Sequence, residues 1–184
     1  AVGPDYYGLA RLAQAASVVA IVTPLCAGLA AWEGWRLRAA GPAVAVASRT
    51  QLAVAARALV PIWLLAGAAF CLATALMLAN GPSVEAADFR VLLLPVVITV
   101  AHTAFAYAAG RTLPAVFAVP AVVIASWLWL VYPISLEPLW LRHLSGYLID
   151  CCDTSTVLAS GAFIAPLIVS LGVLVGAWIL VQRG

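Results

Sequence analysis

The chain has 184 residues, 66% of them hydrophobic and only 9% charged, with nine basic against seven acidic side chains and a formal net charge of +2. At a mean hydropathy of +1.12 it lacks the polar surface that a water-soluble domain of this length must present, so a soluble enzyme or binding module is excluded and lipid is its solvent. No Asp, Glu or Arg lies deep inside an apolar stretch, which argues against a proton relay or an ion-coupled carrier, whose spans usually hold such groups.

Five apolar stretches reach the length of about 20 residues that a helix needs to cross the hydrocarbon core: 12–32, 58–79, 91–109, 114–132 and 161–181. Runs such as VLLLPVVITVAHTAFAYAA do not alternate apolar with polar residues as a membrane barrel strand would. Lipid cannot bond exposed backbone groups, so each stretch must be helical. The predicted fold is an all-α, polytopic transmembrane bundle forming one domain, with five spans visible. The chain begins at Ala1 rather than Met. A cleaved signal peptide and a sixth, preceding span are both compatible with that beginning.

After the first span comes the segment 33–57, EGWRLRAAGPAVAVASRTQLAVAAR, basic and broken at Gly41-Pro42. Attraction to anionic headgroups is one reading, and a docking surface for a cytoplasmic partner is another. The third span carries Thr99, His102 and Thr103. Spaced by three and four residues, they are expected on one helical face with Ala106. The functional reading of that face is a substrate path or a haem ligand; the structural one is a neutral His bonded to a neighbouring helix. A bis-His haem needs a second His at matching depth, and His143, in the segment 133–160, is outside the spans. No cofactor is expected.

Pro114 and Pro120 interrupt the start of the fourth span, while Pro24, Pro61, Pro95 and Pro166 read as kinks or first-turn prolines. The segment 133–160 is too long for a simple connector, and its Trp140, Leu141, Leu144, Tyr147 and Leu148 recur at helical spacing, as in a short interfacial helix. Cys151 and Cys152 follow. They are read as a disulfide, as free thiols or, with His143 and Asp153, as a metal site whose spacing fits no strong motif. In the last span Gly172 and Gly176 form a small-xxx-small face suited to helix packing, within one subunit or between two; Ala104, Ala108 and Ala66–Ala69 offer others.

Arginine sets the expected orientation. Arg36, Arg38, Arg49, Arg57, Arg111 and Arg183 fall on one side, and Arg11, Arg90 and Arg142 on the other. The arginine-rich side is therefore cytoplasmic, with the N-terminus outside and the C-terminus inside. Trp32, Trp35, Trp63 and Trp178 fall near the inner boundary, and Trp127, Trp129 and Trp140 near the outer one, as an interfacial belt would. Every basic residue is Arg and Ala is abundant, the usage of a GC-rich bacterial genome, so a bacterial cytoplasmic membrane is expected. No GxxxxGK[ST], HExxH or GxSxG motif is present, so the chain is not expected to be catalytic or to hydrolyse ATP by itself.

Three stretches, PLCAGLAAWEGWRLRAAG, AFAYAAGRTLPAVFAVPAVV and PLWLRHLSGYLIDCC, occur in the order in which similar stretches occur in actinobacterial ABC-type exporter permeases. The first resembles that family's Ala-Trp-Glu/Asp-x-x-Arg-x-Arg inner loop, the second its Gly-Arg-x-x-Pro turn, and the third its outer loop before the last span. Together they cover about a third of the chain. The resemblance implies a six-span permease, where five are visible here, acting as a homodimer or heterodimer with a separate cytoplasmic ATPase subunit. Glu33, Trp35, Arg36 and Arg38 would then contact the ATPase, and the cargo would be amphipathic or lipid-like. The alternative is a non-transporting scaffold or accessory subunit of a larger membrane complex, and a third reading is a membrane enzyme or redox subunit using His102 or the Cys151–Cys152 pair. The bilayer is a partner in every case, and nucleic acid in none.

Overall fold

The computed structural model describes residues 8–41, 50–79, 89–137, 139–147 and 158–183. Six helices occupy most of them: α1 Gly8–Ser17, α2 Val19–Ala39, α3 Gln51–Ala79, α4 Phe89–Thr112, α5 Ala115–Val131 and α6 Ser160–Arg183. Two 3₁₀ turns, Tyr132–Ser135 and Leu139–Leu144, follow α5, and no strand occurs among the described residues. Among the described residues five segments are long and apolar enough to span a membrane: Ala10–Ala39, Gln51–Ala79, Arg90–Thr112, Ala115–Ser135 and Ser160–Gln182. The protein is thus an all-α helical bundle of the multi-pass membrane type.

Local chemistry sets the element ends. The α1–α2 junction at Val18 is one residue wide, and the Val18 carbonyl still accepts from Ile21 and Val22, so both helices serve one span. α2 runs past Trp32 to Ala39, and its exit is closed by Ala40 N–H on Arg36 O and Gly41 N–H on Arg38 O. Gly41 adopts φ +58° there, the left-handed conformation that glycine enters without a Cβ clash. α4 gives way to α5 within two residues, because Pro114 drives the residue before it out of the helical region. Pro114 is itself extended, at φ −61° and ψ 143°, and its carbonyl receives the N–H groups of Phe117 and Ala118.

The packing centre is the pair α2 and α4, which share the most extensive helix–helix contact in the described chain. Ala27, Ala30 and Ala31 of α2 and Ala106 and Tyr107 of α4 are buried in this seam. A Cβ placed on Gly34 would strike the Tyr107 carbonyl oxygen, and one placed on Gly110 would strike the Ala31 carbonyl oxygen. The two backbones therefore touch. In lipid, where no hydrophobic effect pulls helices together, such close approach supplies the dispersion contact that replaces it.

The other helices surround this pair. α5 leans on α2, α6 lies on α4, and α3 packs against α1 and α2 with a smaller contact to α4. α3 is the most lipid-exposed span, with Leu64, Leu65, Leu72 and Leu76 turned outward. Of the small-residue faces expected from sequence, Ala66 and Ala108 are buried in the bundle. A Cβ at Gly172 or Gly176 would meet nothing within 4 Å, so that face of α6 takes no part in packing among the described residues.

Candidate functional site

Three buried threonines and the half-buried Trp63, from three helices, join in one chain of hydrogen bonds. The Thr99 hydroxyl lies 2.7 Å from the Pro95 carbonyl, one turn back on α4, and donates to it. Its single proton is then committed, so the contact of 2.6 Å between Thr23 Oγ1 and Thr99 Oγ1 has Thr23 as donor. Thr103 likewise donates backward, to Thr99 O at 2.8 Å and Val100 O at 3.0 Å. Its oxygen receives the Trp63 indole N–H of α3 at 2.9 Å. This spine links α2, α4 and α3 and leaves no donor among the four unused. It therefore acts as a staple, and offers no free hydrogen to a passing molecule.

His102 lies elsewhere. The structure brings Thr99 and Thr103 together on the α2–α3 side of α4 but turns His102 toward α5 and α6. There it lines an open groove of about 270 Å³ together with Phe105, Ser126, Trp129, Val169 and Val173. α5 and α6 both rest on α4 with no substantial contact between them among the described residues, and the groove is the gap they leave. Neither His102 nor Ser126 has a side-chain hydrogen-bond partner among those residues. Ser126, Thr23 and Trp63 were not legible as site residues. For Thr23 and Ser126 the sequence signal is a polar atom in mid-span, whereas Trp63, expected near the inner boundary, lies near the middle of the span Gln51–Ala79.

Glu33, Trp35, Arg36 and Arg38 are together on the last turns of α2, helical where a loop was expected. Arg36 pairs with Glu33 at 2.6 Å with its own side chain 63% exposed. Arg38 Nη1 donates to the Arg111 carbonyl at the end of α4 at 3.3 Å, and Arg111 Nη1 donates to Gln51 Oε1 at 2.9 Å. One end of the bundle thus gathers Arg36, Arg38 and Arg111 at the C-termini of two helices, where the partial negative charge of the helix dipole favours cations. Trp32 and Trp35 pack beside it in a tilted pair, with ring centres 5.0 Å apart and ring planes at 46°. Tyr107 Oη and Arg111 Nε, one turn apart on α4, are buried there without a hydrogen bond.

At the opposite end Arg142 fastens the two 3₁₀ turns. Its Nε donates to Leu136 O at 2.9 Å and its Nη2 pairs with Glu137 at 2.6 Å. The helical spacing around Trp140 is thus realised as a 3₁₀ turn over Leu139–Leu144, not as an α-helix. Cys151 and Cys152 lie outside the described residues, while Cys26 is a buried and Cys71 an exposed free thiol.

No family model matches the chain. No curated protein matches it, and neither does any solved structure.

Proposed function

We propose that the chain is a membrane subunit of an ATP-driven exporter in a bacterial cytoplasmic membrane. It takes force from a separate ATPase at its arginine-rich end and handles an amphipathic or lipid-like cargo. The observation that carries this reading is the rigid tie between that end and the middle of the bundle. Glu33, Trp35, Arg36 and Arg38 ride on the helix whose Gly34 and Ala31 backbone abuts Tyr107 and Gly110 of α4. A partner that shifts the end of α2 must shift α4 with it, because close-packed backbones offer no slack. The apolar, open groove beside α4 fits an oily cargo better than an ion, which would need charged side chains inside the span. The Gly172–Gly176 face, free of contact within the described chain, is the surface such a subunit would offer to a second permease.

The test is native purification in mild detergent with mass spectrometry of the accompanying subunits, repeated with Arg36→Glu. Arg36 is largely exposed and its ion pair is a surface one, worth at most about 1 kcal/mol, so this variant folds. The expected result is a stoichiometric subunit carrying GxxxxGK[ST] in the wild type and its loss in Arg36→Glu. Retention of the ATPase by the variant refutes the docking assignment. A specific observation favours a second reading: the closed Thr23–Thr99–Thr103–Trp63 spine leaves no polar path through the bundle centre, as suits a non-transporting scaffold. Recovery with other membrane subunits and no ATPase selects that reading.

A further inference from the structure

In the middle of this bundle Thr23, Thr99, Thr103 and Trp63 are all bonded to one another or to backbone carbonyls. Tyr107 Oη and Arg111 Nε are unbonded at the arginine-rich end; in mid-span His102 and Ser126 are unbonded together, on one groove. Ser126 is only 7% exposed, and both side chains line the groove between α5 and α6 with no partner among the described residues. His102 is near the middle of the span Arg90–Thr112, out of reach of headgroups and bulk water. At that depth an unsatisfied polar group costs several kcal/mol, so two of them facing one groove point to a ligand that bonds them.

The groove limits what that ligand can be. No Asp, Glu or Arg lines it, so the ligand carries no formal charge. Imidazole N–H and seryl O–H are both donors, and a carbonyl oxygen with two lone pairs satisfies them. Phe105 and Trp129, both exposed, present rings to a planar body. The volume of about 270 Å³ is a little under twice the roughly 150 Å³ cavity that admits one benzene, which suits two fused rings and is too small for the body of a phospholipid. The opening toward lipid leaves room for a tail. We infer that the groove between α5 and α6 binds an uncharged, lipid-soluble ring carbonyl of naphthoquinone type, held by His102 and Ser126. The inference concerns binding alone and stands apart from the exporter reading, since it needs no ATPase.

The experiment uses the protein as purified, with any subunits that accompany it, in phosphatidylcholine–phosphatidylglycerol vesicles. A naphthoquinone with a short alkyl tail is titrated while tryptophan fluorescence is read, with Trp129→Phe isolating the signal from the groove. The expected result is saturable quenching that Trp129→Phe largely removes. Ser126→Ala and His102→Phe should each weaken the midpoint about five- to tenfold, the effect of one hydrogen bond. Ser126→Ala is the decisive variant because alanine is the better helix former and leaves the fold intact; an unchanged thermal melt checks this. Quenching that grows linearly with quinone and is equal in all variants shows partition into lipid only and overturns the inference. So does saturable quenching indifferent to Ser126→Ala and His102→Phe, and so does a change in oligomer size with Ser126→Ala in place of a change in binding, which would assign the groove to a helix of another chain.

Discussion

Gly110→Ala tests the account of what holds the bundle together. The new Cβ would meet the Ala31 carbonyl oxygen head-on, with the carbonyl carbon at 2.7 Å and Cα at 2.9 Å. Carbon atoms rest about 3.5–4.0 Å apart, so the helices must separate by on the order of 1 Å. The obstacle is backbone on both sides, and no rotamer change relieves it. Overpacking of this kind costs about 1–3 kcal/mol, and an unrelievable case belongs at the upper end. Parting α2 from α4 also loosens the seam of Ala27, Ala30, Ala31, Ala106 and Tyr107, and a gap of about 0.5–1 Å forfeits a quarter to a half of each contact's well depth. Against this stands the gain of about 1 kcal/mol in helix propensity from glycine to alanine. The net expectation is a loss of roughly 2–3 kcal/mol, or about 4–12 °C in Tm for a chain of this size. Thermal unfolding in detergent, followed by tryptophan fluorescence, measures it. Gly67→Ala is the control, since nothing lies within 4 Å of its Cβ position; it should be neutral or gain up to about 1 kcal/mol. A Gly110→Ala protein melting with the wild type, or a Gly67→Ala protein losing as much, refutes the backbone-contact account.

The Thr23–Thr99 bond should yield a coupling of about 0.6 kcal/mol, and no more than about 1.7, in a double-mutant cycle of Thr23→Val and Thr99→Val; additivity of the two in the same melting assay would remove the spine as a stabilising unit. At the other end, Glu137→Gln should stay within about 0.5 kcal/mol of wild type because its carboxylate is mostly solvent-exposed, whereas Arg142→Ala, which also loses the bond to Leu136 O, should cost about 1 kcal/mol. Equal effects in chemical denaturation would mean that the ion pair, and not the bond to the carbonyl, holds the 3₁₀ turns.

The existence and number of the spans were readable because hydropathy reports the solvent. Their ends were less so, because a charge marks where the membrane stops and not where the helix stops. Glu33 and Arg36 closed the expected first span at Trp32, yet alanine, leucine and arginine carry α2 on to the Gly41-Pro42 break. Packing was the least legible. Gly172 and Gly176 advertise themselves by spacing on one helix, but the contact the fold uses pairs one glycine on α2 with one on α4, and no local spacing links Gly34 to Gly110. The polar face failed for an angular reason. At about 100° per residue Thr103 lies about 40° from Thr99, while His102 lies about 60° on the other side of it. A difference of about 100° between His102 and Thr103 is enough to send them into different gaps between helices.

That angular split gives α4 two polar edges with opposite accounts. On one edge the α4 hydroxyls donate backward into their own helix, Thr23 of α2 donates to Thr99, and the Trp63 indole completes the pattern from α3; the edge is closed. On the other edge, His102 and Ser126 face each other's groove unbonded. The difference follows from which helices fit close. α2 carries Gly34 and small alanines and approaches α4 until the backbones touch, whereas α5 and α6 rest on α4 without closing on each other, and Val122, Trp129, Val169 and Val173 line the gap between them. α3 packs against α1 and α2 and is tied by hydrogen bonds from Trp63 to Thr103, from Arg111 to Gln51 and from Arg11 to the Met77 carbonyl, while spaces of about 250 and 390 Å³ lie along it against α6 and α1. The α2–α4 seam, where backbone meets backbone, is therefore the part of the bundle with the least slack. In the exporter reading proposed above, a force applied at Arg36 and Arg38 would enter the α2–α4 seam directly and reach the groove through α4, the helix that carries His102.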